Sequence, residues 1–157
     1  IQVLKALSPA DLIVVDRNPA ALELAKSIGA DITVVAGGTE VQQILDITGG
    51  HGAEQVIDFV GEGGSTAKGL DMTRRAGDYH VVGYGENVDI ATIDLISTER
   101  NIIGNLVGSY NDLVELMALA ARGKVTLHTA KYRLEQFQDA LDDLDAGKVR
   151  GRAILIP

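Results

Sequence analysis

The sequence predicts an α/β fold in which a mostly parallel sheet carries helices on both faces. Short aliphatic runs alternate with amphipathic stretches along all 157 residues, the pattern of βαβ units. Hydrophobic residues make up 46% of the chain, aromatics only 4%, and Trp is absent. The core is therefore Val, Ile, Leu and Ala, as in parallel sheets covered on both sides. Glycine recurs where successive aliphatic runs end, and ligands of such sheets sit beyond the C-terminal ends of the strands.

Taken in order, Ile1, Leu4 and Leu7 share a helical face that Ser8-Pro9 stops. Ile1-Gln-Val-Leu-Lys-Ala-Leu reads as the last two turns of a helix already under way, and the expectation is a piece cut from something longer. Residues 12–16 (LIVVD) read as a strand ending in a carboxylate. A helix over residues 19–28 follows, with Asn18 at N-cap, Pro19 at the first helical position and Gly29 past the end. Leu22, Ala25 and Ile28 fall on its inner side. Residues 31–35 are a second strand, closed by Gly37-Gly38. Thr39-x-x-Gln42 has the form of a capping box opening a helix through Ile47. Gly49-Gly50-His51-Gly52 breaks that helix. A third strand at 54–60 ends in Gly61, a third helix spans 65–75, and a fourth strand spans 78–84. Residues 86–100 read as a looser segment before a fifth strand near 101–106. A long amphipathic helix over 111–122, ended by Gly123, precedes a strand at 126–132, a helix at 134–146 and a last strand at 153–157. No repeat or flexible linker interrupts the series, so one domain over residues 1–157 is expected.

Charge and composition narrow the function. A net charge of -8 and a pI near 4.7 repel phosphate backbones and anionic membranes, which argues against both as partners. With no cysteine there is no disulfide, thiol nucleophile or thiolate metal site within these residues. No apolar run approaches the ~20 residues that cross a bilayer, so a cytoplasmic protein is the default. His51, His80 and His128 lack ligand spacing, and Asp142, Asp143 and Asp145 read as a solvated helix face rather than a metal cluster.

The most informative stretch is 12–30. A strand tip that presents Asp16 to solvent, followed at once by a helix, suits hydrogen bonds to the adenosine ribose hydroxyls of a dinucleotide. It equally suits a strand-to-helix connection that is acidic for local reasons. A G-x-G-x-x-G turn is absent. Gly61-Glu-Gly63-Gly64-Ser-Thr66 and Gly83-Tyr-Gly85-Glu-Asn-Val88 both fail at the last position. The first strand and its glycine turn are expected upstream of Ile1.

At this point the chain resembles the C-terminal, cofactor-binding half of the zinc-type medium-chain alcohol dehydrogenases. The pieces that carry the likeness are IQVLKAL, VVDRNPAALELAKSIGAD, ITGGHGAEQVIDFVG, GDYHVVGYGE, IIGNLVGSYNDLVELMALAARGKV and GKVRGRAILIP, in the family's order. The resemblance is greatest to bacterial NAD-dependent secondary-alcohol or aryl-alcohol dehydrogenases. It implies a Rossmann-like sheet lacking its first strand, with the last ~25 residues packing toward a catalytic domain outside this chain. It also implies NAD as cofactor, with Asp16 on the ribose and Arg17 beside it, the latter blurring the choice against NADP. Phe59, Val60 and Gly61 would line the adenine and nicotinamide-ribose side of the crevice. Val82, Gly83 and Tyr84 would pass under the nicotinamide, Asn105 and Val107 would meet its carboxamide, and Arg152 would hold the pyrophosphate. No catalytic residue and no zinc ligand falls in this chain, although zinc belongs to the family's catalytic part. The implied reaction, a small alcohol to a ketone or aldehyde by hydride transfer, is therefore not expected of this piece alone.

Self-association through the edge near 101–106 is implied too. With the central strand absent, strand 12–15 is expected either to pair with 55–59 or to leave open edges that seek another chain. Alternatives are a quinone-reductase-like or polyol or threonine dehydrogenase parent, an S-adenosylmethionine-dependent methyltransferase, which would end in an antiparallel hairpin, or a non-catalytic nucleotide-binding module.

Overall fold

The computed structural model describes residues 1–157. Helices α1 (Gln2–Leu7), α2 (Pro19–Ser27), α3 (Glu40–Ile47), α4 (Ser65–Met72), α5 (Thr92–Thr98), α6 (Tyr110–Ala121) and α7 (Phe137–Asp145) alternate with seven strands. These are β1 (Ile13–Asp16), β2 (Ile32–Val35), β3 (Ala53–Asp58), β4 (Thr73–Val81), β5 (Asn101–Gly104), β6 (Thr129–Arg133) and β7 (Arg152–Ile156). The strands form three sheets, β1-β2, β3-β4-β5 and β6-β7, and every ladder in them is parallel. The fold is α/β as expected. The parallel β6–β7 ladder does not fit the antiparallel ending of a methyltransferase. No helix is long and apolar enough to cross a membrane.

The chain divides into two compact units. One comprises Ile1–Val35 and Tyr110–Pro157, the other Ala36–Ser109. In the first unit, β1 and β2 are covered by α2, which buries Leu22 and Ala25. The caps of α2 are the expected ones: Asn18 Oδ1 accepts from Ala20 N at 2.9 Å, Pro19 is at the first helical position, and Gly29 has φ 111°. Lys5 of α1 reaches Asp31 at 2.6 Å, and Gln2 binds the backbone and hydroxyl of Thr126 at the foot of α6. In the second unit, β4 is central, and its Tyr79 is fully buried against α4. A side chain at Gly69 would meet the Tyr79 ring, so glycine is what lets helix and strand close. β1 has one ladder partner, β2, and β3 has one, β4. Each therefore keeps an edge without a ladder partner, and strand 12–15 does not pair with 55–59.

Several boundaries differ from the sequence reading. Helix α4 stops at Met72 rather than Arg75, because Thr73 is buried, turns its hydroxyl back to the Gly69 carbonyl at 2.7 Å and pairs with Ala53. Three extra residues then bulge β4 before Asp78 pairs with Gln55, with Ala76 at φ 51°. The segment 86–100 contains the unanticipated helix α5. The box at Thr39 does not form. Thr39 makes no cap bond, and its hydroxyl accepts instead from the Gln43 side chain.

The start of α3 is held by Glu40. Its carboxylate accepts from the N–H groups of Gly37 and Gly38 and pairs with Lys68 at 2.6 Å. Glu40 is only 2% exposed. The Lys68 ammonium, then the surrounding N–H groups, outweigh burial and hold its carboxyl down to about 2.

Candidate functional site

In the second unit, the C-terminal ends of three consecutive parallel strands lie side by side. Val81, Asp58 and Gly104 are in register at the ends of β4, β3 and β5. Beyond them run the segments 59–61, 82–84 and 105–107, which hold eight of the eleven residues singled out from the sequence. The β3 and β4 segments are in backbone contact. Val82 N and Gly83 N both donate to the Asp58 carbonyl at 2.9 Å, and Glu86 N donates to the Gly61 carbonyl at 2.9 Å. A Cβ on Gly61 would overlap the Gly83 carbonyl carbon, and one on Gly83 would overlap Val60. Gly61 also sits at φ 62°. Here glycine is required by space at both positions and by conformation at the first.

The side chains at these ends face outward. Phe59 is 73% exposed, Tyr84 93% and Val107 95%, and Val60 and Leu106 are exposed with them. Large apolar groups gathered at strand ends form a surface suited to a planar or apolar ligand. Val107 has φ 43°, a costly conformation for a β-branched residue and one found mostly at binding sites. Asn105 closes the row. Its backbone N donates to Val81 O at 2.8 Å and its side-chain nitrogen donates to Ile103 O at 2.9 Å.

A residue that the sequence reading passed over organises this face. Asp58, at the tip of β3, is buried and accepts four hydrogen bonds. Oδ1 takes Val60 N at 2.7 Å and Gly61 N at 3.0 Å. Oδ2 takes the hydroxyls of Ser65 and Tyr79, both at 2.8 Å. Burial works against the charge, yet these donors, the Tyr79 hydroxyl foremost, hold the carboxyl below its ordinary range. The same burial, followed by the Asp58 charge, pushes the Tyr79 hydroxyl upward. Only the Gly61 that follows marks this Asp in the sequence, because its donors come from as far as 21 residues away.

The first unit holds Asp16, Arg17 and Arg152. Asp16 ends β1 half-buried. One oxygen accepts from Asn18 N at 2.7 Å, turning the chain into α2, and the other takes no bond from the chain. Arg17 is exposed beside it. Arg152 opens β7, exposed, with its backbone N on the His128 carbonyl at 2.9 Å. It belongs to the β6-β7 sheet, whereas Asp16 belongs to the β1-β2 sheet.

No three His, Cys, Asp or Glu side chains converge to hold a metal ion. His51 lies in a turn, His80 in β4 with its ring 3.4 Å from the Asn105 amide, and His128 before β6. The residues present do not fit a zinc site.

Residues 1–122 match the family described as zinc-binding dehydrogenase. Across its whole length the chain is 36% identical to an NAD-dependent alcohol dehydrogenase of Sulfurisphaera tokodaii, of which it covers 46%. It is 35% identical over 99% of its length to an NAD-dependent alcohol dehydrogenase of Sulfolobus acidocaldarius, covering 45% of that protein. Among solved structures, the alcohol dehydrogenase of Aeropyrum pernix superposes with a TM-score of 0.94 at 38% identity, over 99% of this chain and 45% of that one. The chain thus spans a little under half the length of these relatives.

Proposed function

This chain belongs to the zinc-binding dehydrogenase family, and from that premise we propose that it is the NAD(H)-binding part of an alcohol dehydrogenase. The observation that carries the reading is the exposed apolar face at the ends of β3, β4 and β5, built on the glycine pair Gly61 and Gly83. Phe59, Val60 and Gly61 line the adenine and nicotinamide-ribose side of the crevice. Val82, Gly83 and Tyr84 support the nicotinamide, and Asn105 and Val107 meet its carboxamide. Asp16 offers its unused oxygen to the adenosine ribose hydroxyls, and Arg152 supplies positive charge for the pyrophosphate in a chain of net charge -8.

When bound, the nicotinamide supplies the hydride-accepting carbon. This chain's own residues bind and orient it and cover one side of it. The groups that would activate an alcohol lie outside these residues, so the 157 residues alone do not turn over substrate. The outer edge of β5 has no ladder partner, which supports self-association there. A cytoplasmic location goes with the reading.

Binding of NADH and NADPH by the full-length protein tests it. Asp16 repels a 2′-phosphate, so NADH binds more tightly. Equal or tighter binding of NADPH would give the ribose site to Arg17 instead.

A further inference from the structure

Glu86 fastens the loop after β4 onto the loop after β3. Its backbone N–H donates to the Gly61 carbonyl at 2.9 Å. Its carboxylate accepts from Gly64 N at 2.8 Å, Thr66 N at 3.0 Å and the Thr66 hydroxyl at 2.7 Å. Helix α4 has no side-chain cap of its own, since its N-cap is Gly64 in the left-handed conformation. A carboxylate from 20 to 22 residues further along fills that role at the positive end of the helix. Thr66 is buried at 4% exposure, so the bond is anchored in the core of the unit. Those donors also hold the Glu86 carboxyl below its ordinary range, the Gly64 N–H foremost.

The consequence lies between the two ends of this tether. Asp58 already fixes Val60 and Gly61, and the Gly61 and Gly83 backbones touch. Tyr84 is 93% exposed and has no packing to hold it in place. Past the end of β4, the Glu86 carboxylate, seconded by a longer 3.4 Å bond from the Thr66 hydroxyl to the Asn87 carbonyl, returns the Tyr84 loop to the rigid turn.

We propose that Glu86 is a positioning residue that sets the Tyr84 backbone, just past the Val82 and Gly83 N–H groups held by the Asp58 carbonyl, for the nicotinamide end of the cofactor and leaves the adenosine end unaffected. The proposal rests on the dinucleotide reading above and adds to it a residue that touches no ligand. A plain helix cap would affect stability without distinguishing one half of a ligand from the other.

The test uses the full-length protein and two ligands, NADH and ADP-ribose, the second lacking the nicotinamide. Glu86→Ala is expected to raise the NADH dissociation constant about tenfold, the scale of lost charge-assisted bonds, and to change that of ADP-ribose less than about twofold. Glu86→Gln, which keeps an accepting oxygen, should recover part of the loss. Thr66→Val removes one hydroxyl and should shift the NADH-to-ADP-ribose ratio the same way, by roughly twofold to threefold. Should Glu86→Ala fail to fold, the Thr66→Val ratio decides. An unchanged ratio, or a fall in melting temperature alone, makes Glu86 only a cap and overturns the proposal. Asp16→Ala separates this from the parent reading. If it weakens both ligands alike, the dinucleotide site stands whatever Glu86 does. If it weakens neither, that site is wrong on its own account.

Discussion

Two strands of this protein end in aspartate, and the two aspartates do opposite things. IVVD closes β1 at Asp16, and AEQVID closes β3 at Asp58. Asp58 is buried and takes four donors from its own chain, two backbone and two hydroxyl. Asp16 is half-buried and takes one, from Asn18, leaving an oxygen open. A carboxylate whose lone pairs are saturated by the protein fixes the backbone around it. One with lone pairs to spare is available to a ligand. The position of an acidic residue at a strand tip does not decide between these roles; the number of donors that the fold brings to it does.

That contrast can be broken on either side, and the largest effects are expected on the Asp58 side. Gly61→Ala would force a side chain into φ 62° and against Gly83. It should cost about 3 kcal/mol in chemical denaturation, whereas Arg17→Ala, at the exposed residue just after Asp16, should cost almost nothing. Asp58→Ala strands the buried Tyr79 hydroxyl and two N–H groups, and should cost roughly 2–3 kcal/mol.

Glu40→Gln, a third saturated carboxylate, should cost about 1–2 kcal/mol at neutral pH. The folded state depresses its pKa from 4.5 to about 2. Its contribution is therefore complete above about 4.5 and disappears as pH falls toward 2. Denaturation curves of wild type and Glu40→Gln should converge across that window; curves that stay parallel would remove Glu40 from the account. The smallest stability effect is expected from Asp16→Ala, within about 0.5 kcal/mol.

The sequence carried much of the architecture because local signals and tertiary demands agree. Asn18, Pro19 and Gly29 bound α2 where a helix needs such residues, and glycine at 61 and 83 marked strand ends expected to approach a ligand, where the structure also brings the two backbones together. Where tertiary pairing overrides local pattern, the reading slipped. Thr73 looks like one more turn of α4 until Ala53 takes it as a strand partner. Thr39 and Gln42 have the form of a cap, but the Thr39 hydroxyl accepts from the Gln43 side chain and Gln42 bonds Asp46 instead. Asp58 and Glu86 were illegible for the same reason. Their partners lie up to 21 and 22 residues away, and no local spacing reports a bond of that reach.

The most direct test of the central claim is a paired measurement on Asp16→Ala and Asp58→Ala in the full-length protein. Each variant needs an unfolding free energy and an NADH dissociation constant. Asp16→Ala is expected to keep its stability and to bind NADH more weakly by about 1–3 kcal/mol, while Asp58→Ala loses stability first and foremost. If Asp16→Ala bound NADH as tightly as wild type, or lost as much stability as Asp58→Ala, the assignment of one aspartate to the ligand and the other to the fold would be contradicted.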